Sequence, residues 1–597
     1  MPSSTSPRKS KSRRSKRMRK ETNSTVIASP MPPRLSSAQR ALDVVEVASI
    51  ICGHLRGLVA SDEIPQNILP LPESTARVLA RHLAPVARVN KAFYSASTPH
   101  VWETIDTLTP LLEDILGGEK VDYGQGRKQS LIFPNGISAE QWSRFESYAS
   151  KVKTLVLKPS AAGMDPFWVS FLGSKMPPQM RWFPEVRRLV LTCESPLASF
   201  VSTSIIRQVE FLHIQITPST HADVALLNSS LPAPYGVEPV TMTGLRVQHV
   251  ASPQTLLSIS KLNSLRHLFI RISPTATSED LIHCIGSLRE LRRLTIKQDR
   301  CDVASDTPLS TAQGYSVALS RPSPLEHLVA LSVDAESMMQ CMVAARISPR
   351  SLTFLKLLAY SHRDAALLPL AVAAHMRRNP DLKSVDVKMR ADINPEGVDP
   401  LLANPNLNTQ DFFTAISTPK GLESLSIDGV PFFSADIVDR MLSTIGSLDQ
   451  LNSLKFLPAP ATLLPRDTLK LGSLQSLQKL AESNPALRSI ETLVEVEDVP
   501  TLPTQYLSKH RMEKLSVRSN GKSPRSTQRR LDVAAFLVRV FPSLTEISGT
   551  PKHEEDARSW NRVEKIYFSH KQVGAQALAT EEVVKKTKKK SRSGAHH

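Results

Sequence analysis

Side-chain chemistry in this chain would have to come from a few cysteines and histidines and from basic runs. Five cysteines stand at 52, 193, 284, 301 and 341, with no close pair among them. That spacing excludes a Cys-rich zinc site and a disulfide scaffold, and it fits a reducing compartment. No Cys-x-x-Cys, His-Glu-x-x-His or Gly-x-Ser-x-Gly occurs, and Gly124-Gln125-Gly126 lacks the third glycine of a phosphate-cradling loop. Cys193 and Cys284 read as small core residues rather than nucleophiles. The expectation is a chain that is not an enzyme and carries neither a metal nor another cofactor.

Charge is the chemistry that remains. Residues 1–40 hold eleven Lys/Arg against Glu21, a net of +10, and residues 581–597 hold six against two acids, a net of +4. Of the total of +18, that leaves 18 − 10 − 4 = +4 for the 540 residues between. Charge-driven binding to nucleic acid is therefore expected only through the ends. Arg13, Arg14, Lys16, Arg17, Arg19 and Lys20 form a run of the nuclear-import kind, and 585–590 is a weaker second one. Both ends are poor in apolar residues and are predicted to be disordered tails. Ser6, Ser10, Ser12 and Ser15 lie inside the basic N-terminal stretch, where phosphorylation would cancel much of its charge.

A second set of candidate binding residues depends on a repeat that begins near 150. The pattern Leu-x-x-Leu-x-Leu recurs, as in Val186, Leu189, Leu191; Leu265, Leu268, Ile270; Leu291, Leu294, Ile296; and Leu422, Leu425, Ile427. Its middle residue recurs every 23 to 40 residues, apart from two gaps of 56 and 61. Each long gap has room for a degenerate copy, near Leu245-Arg246-Val247 and near Ile490–Leu493. Between the copies, Ser278-Glu279-Asp280 and Ser434-Ala435-Asp436 read as capped helix starts, and Leu531 to Val540 as a further helix. A short strand and a helix in each unit predict an α/β solenoid, since one unit buries too little apolar surface to stand alone. Period-two alternation turns Leu268 and Ile270 inward and His267, Phe269 and Arg271 outward, with Arg293 and Lys297 beside them. These five are the candidate partner-binding residues on the concave face, suited to an acidic or phosphorylated segment of an unidentified target protein.

Residues 41–116 predict a small helical domain. Val44, Val47, Ile51 and Leu55 recur at helical spacing, as do Leu79, Leu83, Val86 and Val89, ahead of Phe93, Val101 and Trp102. The segments Val44-Val45-Glu46-Val47, Ile50-Ile51 before His54-Leu55, Val86-Ala87-Arg88-Val89-Asn90-Lys91-Ala92-Phe93 and Val101-Trp102 resemble the F-box in the form common among basidiomycete fungi. Val45 stands where that family usually has Pro, and Phe93 where it usually has Trp. The irregular repeats that follow resemble the leucine-rich repeats found after an F-box in many fungal proteins, without the usual Asn in the turn after each strand. Ile137 to Ala149 looks like the linking helix of the same family, with Ser138 as N-cap.

The resemblance implies an organisation. Residues 1–40 are a tail, 41–116 the F-box-like domain, 117–149 linker and helix, 150–550 leucine-rich repeats, 551–580 a C-terminal segment and 581–597 a second tail. It also implies partners: a Skp-type adaptor and a cullin–RING ubiquitin ligase, met through Val44, Val47, Ile51, Leu55, Val86, Val89, Phe93 and Trp102 as F-box core or interface. The competing expectation is a nuclear scaffold holding nucleic acid or chromatin through its basic tails, with a vestigial F-box. No run of about 18 apolar residues occurs and the basic N-terminus leads into no apolar core. A soluble protein of the nucleus and/or cytoplasm, with no membrane partner, is therefore expected.

Overall fold

The computed structural model describes residues 44–61, 82–123 and most of 128–573, with 227–241, 300–324 and 390–404 the longest interruptions. Arg13, Arg14, Lys16, Arg17, Arg19 and Lys20 lie outside the described residues, as does 581–597. The chain divides into two compact units, Met1–Val101 and Trp102–His597.

The first unit is small and helical. Helix Val45–Ser61 packs on helix Lys91–Val101 through Ala48, Cys52, Leu83, Ala92, Phe93 and Ala96, with Ile51, Val86 and Val101 partly buried beside them. The second helix starts at Asn90, whose side-chain oxygen accepts from the Phe93 N–H at 2.9 Å in the N-cap manner. Pro99 lies inside that helix and brings no N–H. One turn earlier the Ser97 and Thr98 hydroxyls donate back to the carbonyls of Phe93 and Tyr94.

The helical domain was expected to run to 116, but the structure ends this unit at Val101. Leu108, Leu111, Leu112, Ile115 and Leu116 belong to the core of the second unit, with Leu131, Phe133, Trp142 and Phe145. An apolar stripe does not specify which core it joins, and here the larger one takes it.

The second unit is built on a sixteen-stranded sheet whose main path follows chain order from Thr104–Ile105 to Glu546–Gly549. Every pairing along that path is parallel. Parallel neighbours need a crossover between them, and the intervening helices supply many of these. Strand His267–Ile272 shows the logic of one repeat: Leu268, Ile270 and Ile272 are buried while His267, Phe269 and Arg271 lie on the other face. The strand is entered through a shared carbonyl, since the N–H groups of Arg266 and His267 both donate to Thr243 O, at 2.7 and 2.8 Å. The next strand repeats this, Arg292 and Arg293 both donating to Arg266 O. The two long gaps in the sequence pattern hold strands Gly244–Ala251 and Ser489–Glu495, in register with their neighbours.

The sheet extends upstream of 150 through Thr104–Ile105, paired with Thr154–Leu157. Helix Ala139–Ala149 opens with a full capping box, Gln141 N donating to Ser138 Oγ at 3.2 Å and Ser138 N to Gln141 Oε1 at 2.7 Å. Its Trp142 and Phe145 meet Trp182 and Phe183 in an aromatic cluster. At another expected helix start, Asp436 occupies the N-cap of Ile437–Ile445 without a side-chain capping bond; the helix expected from Leu531 begins earlier, at Thr527, where Ser526 caps it by accepting from Arg529 N. Asparagine does serve between repeats, but after a helix rather than after a strand. Asn484 follows helix Leu474–Ser483, and its amide donates to Leu448 O at 2.9 Å in the preceding repeat. At the C-terminal end a helix at 557–573 buries Trp560, Val563 and Tyr567 in the same core.

Candidate partner-binding surfaces

On the first unit, the residues expected to act together divide in two. Phe93 is buried, Ile51 and Val86 are half-buried, and these three belong to the core. Val44, Val47 and Val89 are exposed, Val89 at 65%. Val45, Ile50 at 64% and Tyr94 are exposed too. Leu55 lies in helix Val45–Ser61, its side chain outside the described residues. Trp102 lies in the second unit, tilted against Tyr148 with ring centroids 4.7 Å apart. The helical stripe read from the sequence is therefore displaced: Ala48 and Cys52 face the core, and Val44 and Val47 face water. The apolar core of this unit holds six buried residues among the described ones.

On the second unit, the five expected residues come together on adjacent strands. His267 pairs in register with Arg293, Phe269 with Thr295 and Arg271 with Lys297. Arg246, on the preceding strand, stands beside Phe269 and lays its guanidinium 4.6 Å from the centre of that ring. Such a stack contributes about 0.5–2 kcal/mol and holds both groups in one orientation. Arg271 is occupied by Asp299, and Lys297 stands beside Asp334 in register.

Further along this face, cations and carboxylates answer each other. Asp386 meets Lys356 and Lys388 at 3.6 and 3.9 Å, and Lys455 lies 3.1 Å from both Asp428 and Glu491. Arg518 meets Glu491 at 3.3 Å. Burial alone would lower the Lys455 pKa, but hydrogen bonds and charge from Asp428 and Glu491 outweigh it and raise the value.

The residue just before each strand forms a rim, and there too charges pair across neighbouring repeats. Lys153 meets Glu103 at 3.7 Å, Arg187 meets Glu210, Lys383 meets Glu423 at 3.3 Å and Arg488 meets Glu513 at 3.1 Å. Other rim positions are uncharged, as at Thr243, Val329, Thr353 and Asn452. Arg266 and Arg292 are consecutive in this rim, both exposed, and neither makes an ion pair among the described residues. His267 lies next to them, and its pKa is pushed below the ordinary imidazole value by burial and then by Arg293, Arg292 and Arg266. Arg246, Arg266 and Arg292 were not among the expected site residues. The signal was available in the position after the first Leu of each repeat, read as a column down the chain.

Cys284 is buried in the core, and burial pushes its thiol up to about 12, so it is protonated at neutral pH. No helix of the described residues is long and apolar enough to cross a membrane.

No protein-family model matches the chain, and no curated protein matches it. Among solved structures, the chain is similar to the leucine-rich repeat-containing protein LegL7 from Legionella pneumophila, at 11% identity over 62% of this chain and 93% of that one, with a TM-score of 0.27. So loose a likeness carries no argument, and the repeat fold rests on the strand order and register described above. A solenoid of stacked parallel strands offers an extended surface.

Proposed function

We propose that this chain is a non-catalytic substrate receptor. The first unit docks a Skp-type adaptor and through it a cullin–RING ubiquitin ligase, while the solenoid holds a target protein. Ubiquitin transfer would be carried out by other subunits, and the receptor would contribute proximity, since tethering raises the effective concentration of the target. The observation that carries this reading is the set of apolar side chains left in water on the first unit: Val44, Val45, Val47, Ile50, Val89 and Tyr94. All but Tyr94 stand within the segments that resemble an F-box.

The test is co-purification of the full chain with the Skp-type adaptor of its own species, beside Ile50→Asp and Val89→Asp variants. Both residues are exposed, so both variants keep their fold. Binding by the native chain that either substitution abolishes supports the reading. Absence of binding by the native chain defeats it.

A second reading is favoured by the charge distribution. The two ends carry 10 + 4 = +14 of the net +18, which suits a nuclear scaffold holding nucleic acid through its tails. That reading requires binding that weakens steeply with salt and disappears when residues 1–40 are removed.

A further inference from the structure

Four steps of the solenoid rim pair a base with an acid, whereas Arg266 and Arg292 are neighbouring bases that make no ion pair among the described residues. Like charges on adjacent strands destabilise a sheet. The two backbones are joined directly, Arg292 N–H donating to Arg266 O at 2.8 Å, so the guanidinium groups start from neighbouring strands about 4.8 Å apart. At four other steps a rim base has a carboxylate beside it. Glu210 pairs with Arg187, and Asp299 with Arg271 at the opposite end of the strand.

The surface around the two arginines is shaped as well as charged. Arg293 and His267 stand next to them at the start of the open face. Gly244, with the Phe211 ring over it, precedes His267 in that row, and Ala330 follows Arg293. One position inward, Arg246 stacked on Phe269 makes a flat, rigid platform. An extended chain crossing these strands would lay one anionic group between Arg266 and Arg292 and the next side chain on the ring.

We propose that Arg266 and Arg292, with His267, Arg293 and the Arg246–Phe269 platform, form a docking site for an extended acidic segment of a partner protein, with a doubly charged anionic group seated between the two arginines. Phosphoserine, phosphothreonine and paired carboxylates share that chemistry. Guanidinium forks match all of them with charge-assisted, two-pronged hydrogen bonds. The site deepens the substrate-receptor reading and rests on its view of the solenoid as the target-holding part.

The experiment uses the full chain and three labelled peptide libraries with randomised flanks around a fixed serine, phosphoserine or Glu-Glu centre, together with a single-stranded oligonucleotide. Retention is measured for the native chain, for Arg266→Glu, for Arg292→Glu and for Arg488→Glu, a rim residue that already has its acid. The proposal expects the native chain to hold the phosphoserine or Glu-Glu library, whichever source is right, over serine. Either arginine reversal should lower that retention at least tenfold, with Arg488→Glu near native. Equal retention of all three libraries, no retention, equal loss in Arg488→Glu or preference for the oligonucleotide overturns it. Adaptor co-purification on the same variants keeps the two readings apart. The rim variants should retain the adaptor, and Ile50→Asp should retain the peptide.

Discussion

The Tyr567 hydroxyl donates to the Phe541 carbonyl at 2.8 Å, and both residues are buried. That bond fastens the helix at 557–573 to the last repeat. Beside it Glu564 accepts from the Ile547 N–H at 3.3 Å, and a Cβ added at Gly549 would meet the Trp560 side chain at 2.9 Å. The last strand of an open sheet is a template for unwanted pairing, and this helix closes it.

Trp560→Ala should therefore cost about 3–5 kcal/mol, with the loss concentrated at the C-terminal end. Hydrogen exchange should quicken in Glu546–Gly549 before it does in His267–Ile272, because repeats of a solenoid open individually. Uniform exchange along the sheet would contradict the capping role.

Leu268 is 3% exposed in the middle of the array. Truncation to Ala should destabilise by about 2–5 kcal/mol in chemical denaturation. A near-neutral result would mean that the register of this strand is wrong.

Gly244 carries its neighbour's ring where a side chain would stand: an added Cβ would lie 2.2 Å from the Phe211 ring. Gly244→Ala is expected to cost about 1–3 kcal/mol as overpacking. The same change in a Phe211→Ala background should cost less, and a double-mutant cycle measures the difference. Equal costs in both backgrounds would remove the ring as the cause.

His375 is almost wholly buried, its Nε2 without a hydrogen-bond partner, and burial followed by the charge of Arg378 lowers its pKa from 6.5 to about 3. Between those values the unfolded chain holds a proton that the folded chain lacks. Stability should therefore fall as pH falls below about 6.5, by about 1.4 kcal/mol per unit, and this contribution is flat above it. Urea melts at a series of pH values should show a shallower acid limb for His375→Gln than for the native chain. Parallel limbs would assign the acid sensitivity to other groups.

How much of this was legible in the sequence varied with the physics involved. The inward residues of the repeats were, because a parallel stack makes the same demand at the same position in every copy. Leu268, Leu294 and Leu425 answer it identically, and even the degenerate copies kept Leu245 and Ile490 at the core. The outward cluster at His267, Phe269, Arg271, Arg293 and Lys297 followed from alternation alone. Less legible was which way a two-helix unit turns its stripe. Val44 and Val47 have the spacing of core residues, but Ala48 and Cys52 are small enough to let the helices approach closely and take that place. Trp102 and Leu108 to Leu116 are apolar in either setting, and their pattern does not say which of two cores they join. The juxtaposition of Arg266 and Arg292 lay in a column outside the apolar pattern, where meaning comes from comparison with the adjacent repeat.

The unbroken order of the main path from Thr104–Ile105 to Glu546–Gly549 bears on how the protein is made. Each strand along it pairs only with strands close to it in the chain, so no distant segment has to be awaited before a strand can settle. A ribosome releasing this polypeptide hands each new repeat an edge already in place, and assembly can keep pace with synthesis from the N-terminal side.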